Sequence, residues 1–383
     1  MNFWQLLKLE FTAIFADKAI LLTVLGGGLL YSFLYPLPYA HQVPTEQLIV
    51  VVDHDNSSLS RAIIRHADAS AKIKIIAKVN SIKQAKEWIT DAKAYGLLVI
   101  PQNFRRNLIL GKGATLSYGG DASYFLIYSA IAQGLIEVGL DTSKSLQRFA
   151  LLSKGNGSKK TDKALNSIQL NSIPVFNSTL GYTPYIVPGL FLLILHQTLL
   201  IATGILGAGQ WHQKSYWLQH SSISLVCARI CAFFSIYSLL SSFYIGYCFY
   251  FYQVNTLANM SEVLLLMLPF LLATVCAGIS LSTLFLHRDL PTQALLLSSM
   301  PILFVCGFVW PLALIPDPII WLSQIVPAVP AIKAMLILNQ MGAPWESIIN
   351  NWLHLWVLFV LFFTLAVFAV HQRQKKMRGA NVD

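Results

Sequence analysis

Residues 19–37 have the sequence AILLTVLGGGLLYSFLYPL, which contains no charged side chain. A helix rises about 1.5 Å per residue, so a run of this length nearly matches the roughly 30 Å thickness of a membrane's hydrocarbon core. The run therefore predicts a transmembrane helix. Lys8 and Lys18 precede it, and basic residues favour the cytoplasmic side. We expect the amino terminus in the cytoplasm and the chain from Pro38 outside.

The composition indicates a polytopic membrane protein. Hydrophobic residues make up 55% of the chain and charged residues only 11%, whereas a soluble globular chain carries about 25% charged residues. Further apolar runs of suitable length follow a polar block. The six predicted spans are residues 19–37, 185–209, 226–252, 263–286, 292–314 and 352–370.

Six spans would return the carboxyl terminus to the cytoplasm. The predicted tail, residues 372–383, agrees with this because four basic residues follow the last span closely. Lys214 and Arg288 fall in the predicted cytoplasmic loops. The basic residues of the tail are Arg373, Lys375, Lys376 and Arg378.

Residues 1–18 have apolar side chains at roughly helical spacing, with Lys8, Glu10 and Asp17 between them. This pattern is typical of an amphipathic helix in the membrane interface. A frayed start of the first span remains the alternative.

The polar block of residues 38–183 alternates strand and helix signals. We predict a polytopic α-helical membrane protein with this block inserted as an extracytoplasmic α+β domain (βαβαβ plus a long helix), ahead of a five-span region at 184–371. The block is basic, which is typical of a solvated surface or of one attracted to anionic membrane lipid. The predicted strands are 47–52, 73–79 and 95–100, the helices are 57–69, 81–92 and 121–152, and a flexible basic loop is expected at 154–163.

All five cysteines lie in predicted spans, so a disulfide framework in the polar block is excluded. Cys227 and Cys231 are four residues apart, but no His or carboxylate completes a ligand set. We therefore expect no metal site.

Residues 210–225 form the largest predicted cytoplasmic connection between spans and are rich in amphipathic aromatic residues. The segment is interpreted as a surface that receives a partner, with an aromatic belt that anchors two span ends as the alternative. The candidate residues are Gln210, Trp211, His212, Gln213, Lys214, Tyr216 and Trp217.

Prolines interrupt residues 311–344, and the apolar run between them, 319–326, is too short to cross a membrane. Broken backbone at membrane depth is tolerated where it is buried in protein or lines a water-filled path. We therefore predict a re-entrant hairpin at an external gate. The candidate gate residues are Trp310, Pro311, Pro316, Pro327 and Pro330.

His196 and Gln197 lie inside the second predicted span. Intramembrane polar residues are candidates for functional sites, so both are assigned to a substrate path. A His hydrogen-bonded to a neighbouring helix is the alternative. Asp53 and Asp55 are interpreted as turn and helix-cap residues rather than as an acid–base pair.

The chain has no Gly-x4-Gly-Lys-Ser/Thr motif; GKG at 111–113 lacks the upstream glycine and the following hydroxyl residue. We therefore expect no ATPase activity from this chain, no cofactor bound by it and no catalytic residues. No nucleic-acid partner is expected.

Ordered motifs across the chain resemble the permease subunit of a bacterial type-2 ABC exporter, within the drug-export-like subfamily that has a large extracytoplasmic domain. The motifs are VVDHDNSSLSR at 51–61, GLLVIPQNF at 96–104, GKGA at 111–114, GFVWP at 307–311 and LNQMGA at 338–343.

This resemblance implies an inner-membrane exporter of an amphipathic, drug-like or lipid-like substrate. It implies a dimer with a second permease subunit, a separate cytoplasmic ATPase subunit that uses ATP and Mg, and often a periplasmic adaptor protein. Residues 210–225 would be the coupling helix, although the segment lacks the carboxylates that many relatives carry there. The alternative function is a membrane receptor or assembly scaffold with a ligand-binding external domain.

Overall fold

The computed structural model describes residues 2–39, 44–166, 175–177, 181–211 and 215–379. These residues form two compact units. The membrane unit combines residues 2–39 with the described residues from 175 onwards, and the inserted unit contains residues 44–166. Each unit has its own buried hydrophobic core.

Two helices precede the inserted unit: α1 is Phe3–Ala16 and α2 is Lys18–Tyr39. Asp17 separates them and caps α2, because its Oδ1 accepts the backbone N–H of Ala19 at 2.9 Å. A π turn at Leu22–Gly27 widens α2. The helix is thus irregular at the glycine triplet of the first predicted span.

The inserted unit is built around one mixed sheet in the order β2-β1-β3-β4, in which β4 runs antiparallel to β3 and the other pairs are parallel. Its elements are β1 (Gln47–Asp53), α3 (Ser58–Asp68), β2 (Ile73–Val79), α4 (Ile82–Thr90), β3 (Gly96–Ile100), α5 (Phe104–Ile109), β4 (Ser117–Gly120), α6 (Phe125–Ser153) and α7 (Ser158–Leu165).

The central strand β1 is buried on both faces of the sheet. Ile49 and Val51 pack in the same cluster as Ile131 of α6, whereas Val50 and Val52 lie in the cluster on the other face. A strand covered on both faces has a continuous apolar sequence. This explains why β1 is a continuous apolar run in the sequence. The three predicted strands and the long helix are confirmed.

The prediction of a flexible loop at residues 154–163 is wrong, because α7 begins at Ser158. The helix is held to α6 by an ion pair between Arg148 Nη2 and Asp162 Oδ1 at 3.2 Å, and Thr161 is buried. The glycine-rich, basic composition of residues 154–163 predicted a loop, because the contact between α6 and α7 forms only in the folded unit.

The membrane unit continues with seven helices among its described residues. They are α8 (Tyr182–Gln210), α9 (Ser222–Phe251), α10 (Met260–Ser282), α11 (Leu290–Val305), α12 (Asp317–Ser323), α13 (Ala328–Gln340) and α14 (Ile349–Gly379). α8 is the central helix, since its apolar window is completely buried by its neighbours.

Within the described ranges, α2, α8, α9, α10 and α14 are long and apolar enough to cross a membrane. α12 and α13 would add a sixth span if counted together, but a bend of 94° separates them. The span predicted at 292–314 is shorter than expected, because α11 ends at Val305 and Gly307 follows with φ of +80°. The six-span layout is therefore not confirmed.

Close approach of α8 and α10 depends on a small residue. A Cβ atom on Gly278 would lie 1.9 Å from Thr203 Oγ1 and 3.3 Å from the Cα of Leu200. Small residues let membrane helices come close enough for dispersion contacts along their backbones. This contact fixes the two helices that form the centre of the unit.

Candidate functional site

A cavity of about 610 Å³ lies between α2, α8 and α11 of the membrane unit, and it is partly open at the surface of the unit, where Leu22, Leu30 and Met300 are exposed. Most of its wall is apolar, and the π turn of α2 contributes Leu22, Thr23, Gly26 and Gly27 to it. Such turns occur frequently at functional sites. The polar side chains on the wall are Thr23, Tyr31, Tyr35, Gln197, Thr198, Thr292 and Ser299.

Gln197 is the most informative of these side chains. It is buried, and neither its Nε2 nor its Oε1 has a hydrogen-bond partner among the described residues. Thr198, by contrast, donates its hydroxyl hydrogen to the carbonyl of Ile194 at 2.8 Å. Since buried amides are nearly always paired, the Gln197 amide is available to donate to and accept from a molecule in the cavity.

His196 points elsewhere, although it is the neighbouring residue. Its ring stacks on Phe270 of α10 with 6.4 Å between ring centroids and 20° between planes. Neither ring nitrogen has a hydrogen-bond partner in the described part of the chain, and His196 is not among the residues that line the cavity. The structure thus separates the two residues that the sequence grouped into one path.

The proline-rich segment contains the helices α12 and α13 with a bend of 94° between them, a geometry shared by a broken span and a re-entrant hairpin. Trp310, Pro311 and Pro316 are exposed, whereas Pro327 and Pro330 are buried where α13 begins. Pro327 lacks a backbone N–H and its ring would crowd the carbonyl of Ser323, the last residue of α12, so it favours the break between the two helices. The predicted gate residues therefore lie in two different environments.

Phe308 anchors the chain ahead of this hairpin. It is buried, and a Cβ atom on Gly189 of α8 would lie 2.9 Å from its Cδ2. The left-handed backbone at Gly307 turns the chain so that Phe308 reaches this position. Sequence reasoning assigned no role to Phe308, and its only signal is the glycine that precedes it.

Of the predicted coupling residues, His212, Gln213 and Lys214 lie outside the described residues. Trp211 and Trp217 are both buried, with 5.0 Å between ring centroids in an edge-to-face arrangement. The Trp211 indole Nε1 donates to the carbonyl of Ser282 at 3.1 Å. The two tryptophans therefore anchor this segment inside the membrane unit.

A buried ion pair lies beside these tryptophans. Arg229 of α9 donates from Nε to Glu10 Oε2 at 2.8 Å and from Nη2 to Oε1 at 3.0 Å, and both side chains are at most 1% exposed. The Tyr216 hydroxyl donates to Glu10 Oε1 at 2.9 Å and accepts from Gln210 Nε2 at 2.8 Å. We call these four residues and Trp211 the Glu10 cluster.

Two further contacts complete the Glu10 cluster. Arg229 also donates to Gln210 Oε1, and its guanidinium lies over the Trp211 ring, 5.5 Å from the centroid. Burial and the adjacent Glu10 carboxylate raise the pKa of Tyr216 above its ordinary value, so the phenol stays a proton donor. Sequence reasoning missed the pair, although a charged residue inside a predicted span, Arg229, is a recognisable signal.

The carboxyl-terminal tail and the loop before α11 lie at the same end of the membrane unit as the Glu10 cluster. Gln374 Nε2 donates to the carbonyl of Trp217 at 2.7 Å, and Arg373 Nε donates to that of Thr283 at 3.1 Å. Asp17 and Arg288 pair at 2.7 Å. We call this the basic end. Segments that lie far apart in sequence are therefore tied together around the Trp211–Trp217 pair.

The sequence of this chain matches a known protein family. The sequence profile of the family described as ABC-2 family transporter protein matches residues 18–368. The chain belongs to the ABC-2 transporter family. This confirms the resemblance carried by the ordered motifs. ABC-2 permeases are transmembrane transport components that are not themselves the ATPase, and membership implies an ATPase partner.

A comparison with curated proteins found no match for this ABC-2 chain. Among solved structures, it is similar to a crystallised domain from Thermotoga maritima MSB8 that is described as part of an ABC type-2 transporter. The sequences are 23% identical, the match covers 32% of this chain and 81% of the other, and the TM-score is 0.24.

Proposed function

We propose that this ABC-2 chain is the permease subunit of an ATP-driven exporter in the bacterial inner membrane. Its substrate would be amphipathic, drug-like or lipid-like. It would work as a dimer with a second permease subunit and with a cytoplasmic ATPase subunit that supplies the ATP and Mg chemistry. A periplasmic adaptor protein is a further proposed partner.

The observation that carries this proposal is the cavity between α2, α8 and α11. Its volume of about 610 Å³ falls within the roughly 300–1,000 Å³ range of small-molecule sites. An apolar wall with one unpaired amide, Gln197, matches a molecule that is mostly apolar and carries a polar group. These features support an amphipathic substrate.

The proposed orientation rests on charge. The basic end carries Lys18, Arg288, Arg373 and Lys376 within or next to the segments that meet there. Basic residues next to spans favour the cytoplasmic side, which would place the Glu10 cluster there too. The hairpin lies at the opposite end of α14 and would then be external, which supports a role at the outer gate.

The proposed coupling role of the segment around 210–225 needs a rigid connection to the spans. Trp211 packs on α10 through the Ser282 carbonyl, and the Glu10 cluster joins the segment to α1 and α9. A displacement imposed by a docked ATPase would therefore move several helices together. In this proposal the buried tryptophans anchor the segment, and its exposed residues make the contact.

The test is transport by the purified chain reconstituted into lipid vesicles with its ATPase subunit. A fluorescent phospholipid should move across the bilayer only with both polypeptides and ATP present. Gln197→Leu removes the cavity's free amide and should lower the transport rate roughly two- to tenfold, the value of one hydrogen bond. Gln293→Leu is the matched control, since Gln293 is exposed on α11 and does not line the cavity.

Two results would contradict the proposal. ATP hydrolysis by this chain alone would refute the division of labour between permease and ATPase. Equal transport by the Gln197→Leu and Gln293→Leu proteins would remove the cavity from the substrate path.

A further inference from the structure

The inserted unit carries a groove of about 980 Å³ that the transport proposal does not use. It lies between α3, α5, the loop at 111–116 and the second half of α6. Leu59, Phe104, Leu108, Leu116 and Leu146 contribute apolar surface to it. Two exposed side chains on its wall, Ile109 at 72% and Phe149 at 73%, leave large apolar areas uncovered within this unit.

The groove continues into a second depression of about 240 Å³. Leu116 and Gly139 line both, and the smaller depression adds Ile136 and Leu140, of which Leu140 is 68% exposed. Contiguous apolar surface of this kind marks ligand-binding grooves or interaction sites more often than chance. The shape is a long apolar trough rather than a set of scattered hydrophobic residues.

Among the described residues, the charged side chains that line the groove are both cations, Arg105 and Lys112. Neither cation forms a side-chain hydrogen bond or ion pair within the described residues 44–166. Asp55 accepts the backbone N–H of Arg105 at 3.3 Å, and it lines a neighbouring depression together with Arg105 and Arg106. The groove thus combines an apolar trough with two cations whose side chains are unpaired among the described residues of this unit.

We infer that this groove binds an anionic amphiphile. Its acyl chain would lie along Leu59, Leu116 and Leu146, and its anionic headgroup would lie between Arg105 and Lys112. The apolar wall favours an acyl chain, because burial removes its apolar atoms from water. The two cations favour an anionic headgroup through electrostatic attraction. The inference concerns the inserted unit alone and does not depend on the proposed transport function.

A protein segment fits this groove less well. Helices and a loop form the walls of the larger groove, and the edge strand β4 reaches only the smaller depression, through Tyr118. An extended peptide in the larger groove would therefore find no row of backbone donors and acceptors to pair with. An acyl chain needs no such partners.

Gly139 provides a way to fill the groove without disturbing the fold. A Cβ atom there would meet no atom within 4 Å, because the position faces open space in the trough. Gly139→Leu should therefore be accepted by α6 while its side chain occupies the acyl path. Gly157→Leu is the matched control, since Gly157 is equally open and lies outside the groove.

The experiment uses the full chain in phosphatidylcholine nanodiscs and a palmitate analogue with a photoreactive diazirine on its chain. After irradiation, labelled peptides are mapped by mass spectrometry, and peptides from the spans report the background from the lipid phase. We expect labelling of peptides from 104–116 and 139–153. Gly139→Leu should reduce it about tenfold or more, whereas Gly157→Leu should not.

Binding of the anionic headgroup is tested separately, with substitutions of the two cations and with competing molecules. Arg105→Gln with Lys112→Gln should weaken labelling, by roughly fivefold for each cation. Arg65→Gln with Lys86→Gln, which alters two exposed cations outside the groove, should leave it unchanged. Palmitate should compete with the probe, and uncharged hexadecanol should compete much less.

Several outcomes would overturn the inference. Labelling confined to the spans, or unchanged by Gly139→Leu, would mean that the groove holds no acyl chain. Equal competition by palmitate and hexadecanol would refute the anionic headgroup. Labelling that appears only when copies of the chain are dissociated by dilution would assign the groove to a protein contact instead.

Discussion

At the scale of single residues, the Glu10–Arg229 pair is an ion pair buried within the membrane unit. Both charges are removed from solvent, and each depends on the other for compensation. Breaking a buried pair by removing one partner typically costs roughly 3–5 kcal/mol, whereas replacing both by apolar residues is often neutral.

We therefore expect Arg229→Met alone to destabilise the protein by about 3–5 kcal/mol. Glu10→Leu combined with Arg229→Met should recover most of that loss, because no charge is then left buried. Thermal unfolding of the purified protein in detergent measures both. A double variant as unstable as the single one would show that the hydrogen bonds to Tyr216 and Gln210, and not charge compensation, dominate.

Asp53 supports the inserted unit in a similar way at the end of β1. Its Oδ2 accepts from Lys78 Nζ and from Ser60 Oγ, both at 2.9 Å, and its Oδ1 accepts the N–H of Asn56 at 3.0 Å. This confirms that Asp53 is a turn residue. Burial alone would raise the pKa of Asp53, but these hydrogen bonds and the Lys78 charge lower it below the ordinary value of 3.8.

A depressed folded-state pKa gives stability that is present above the unfolded pKa and is lost as the pH falls through the folded value. We expect urea unfolding of the inserted unit to show this loss below pH 3.8. Asp53→Asn should remove that part of the pH dependence and destabilise the unit by about 1–3 kcal/mol. Asp91→Asn is the control, because Asp91 and Lys93 form an exposed pair, worth at most about 1 kcal/mol.

At the scale of elements, the turn at Gly307 sets where α11 ends and where the hairpin begins. Its φ of +80° is costly for any residue with a side chain, and a Cβ atom would lie 2.7 Å from the Cγ of Leu312. The Leu312 side chain can rotate away, but the backbone strain stays.

Gly307→Ala should therefore destabilise the membrane unit by roughly 1–3 kcal/mol and shift the Phe308 anchor away from Gly189. Gly246→Ala is the matched control, since Gly246 has no positive φ and its Cβ would meet no atom within 4 Å. Thermal unfolding gives the stability difference. Equal stability of the two variants would mean that the turn relaxes freely and does not position the hairpin.

At the scale of the whole molecule, the basic end and the inserted unit should face opposite sides of the membrane if the proposed orientation is correct. In a variant with its five cysteines replaced by alanine, Lys86→Cys in the inserted unit should react with an impermeant maleimide added to intact cells. Lys376→Cys in the tail should react only after permeabilisation. Reaction of both sites from the same side would contradict the orientation.

The sequence by itself determined the family, the five long apolar helices and the βαβαβ order, because each depends on local patterns of apolar, basic and turn-forming residues. The sequence did not predict strand β4, helix α5 or helix α7. Ser117–Gly120 has two glycines, and α7 is held by its contact with α6. Tertiary structure alone decided that Gln197 faces a cavity while His196 faces Phe270, and that Glu10 meets Arg229 across 219 positions. These contacts join distant segments, and no local periodicity encodes which faces will meet.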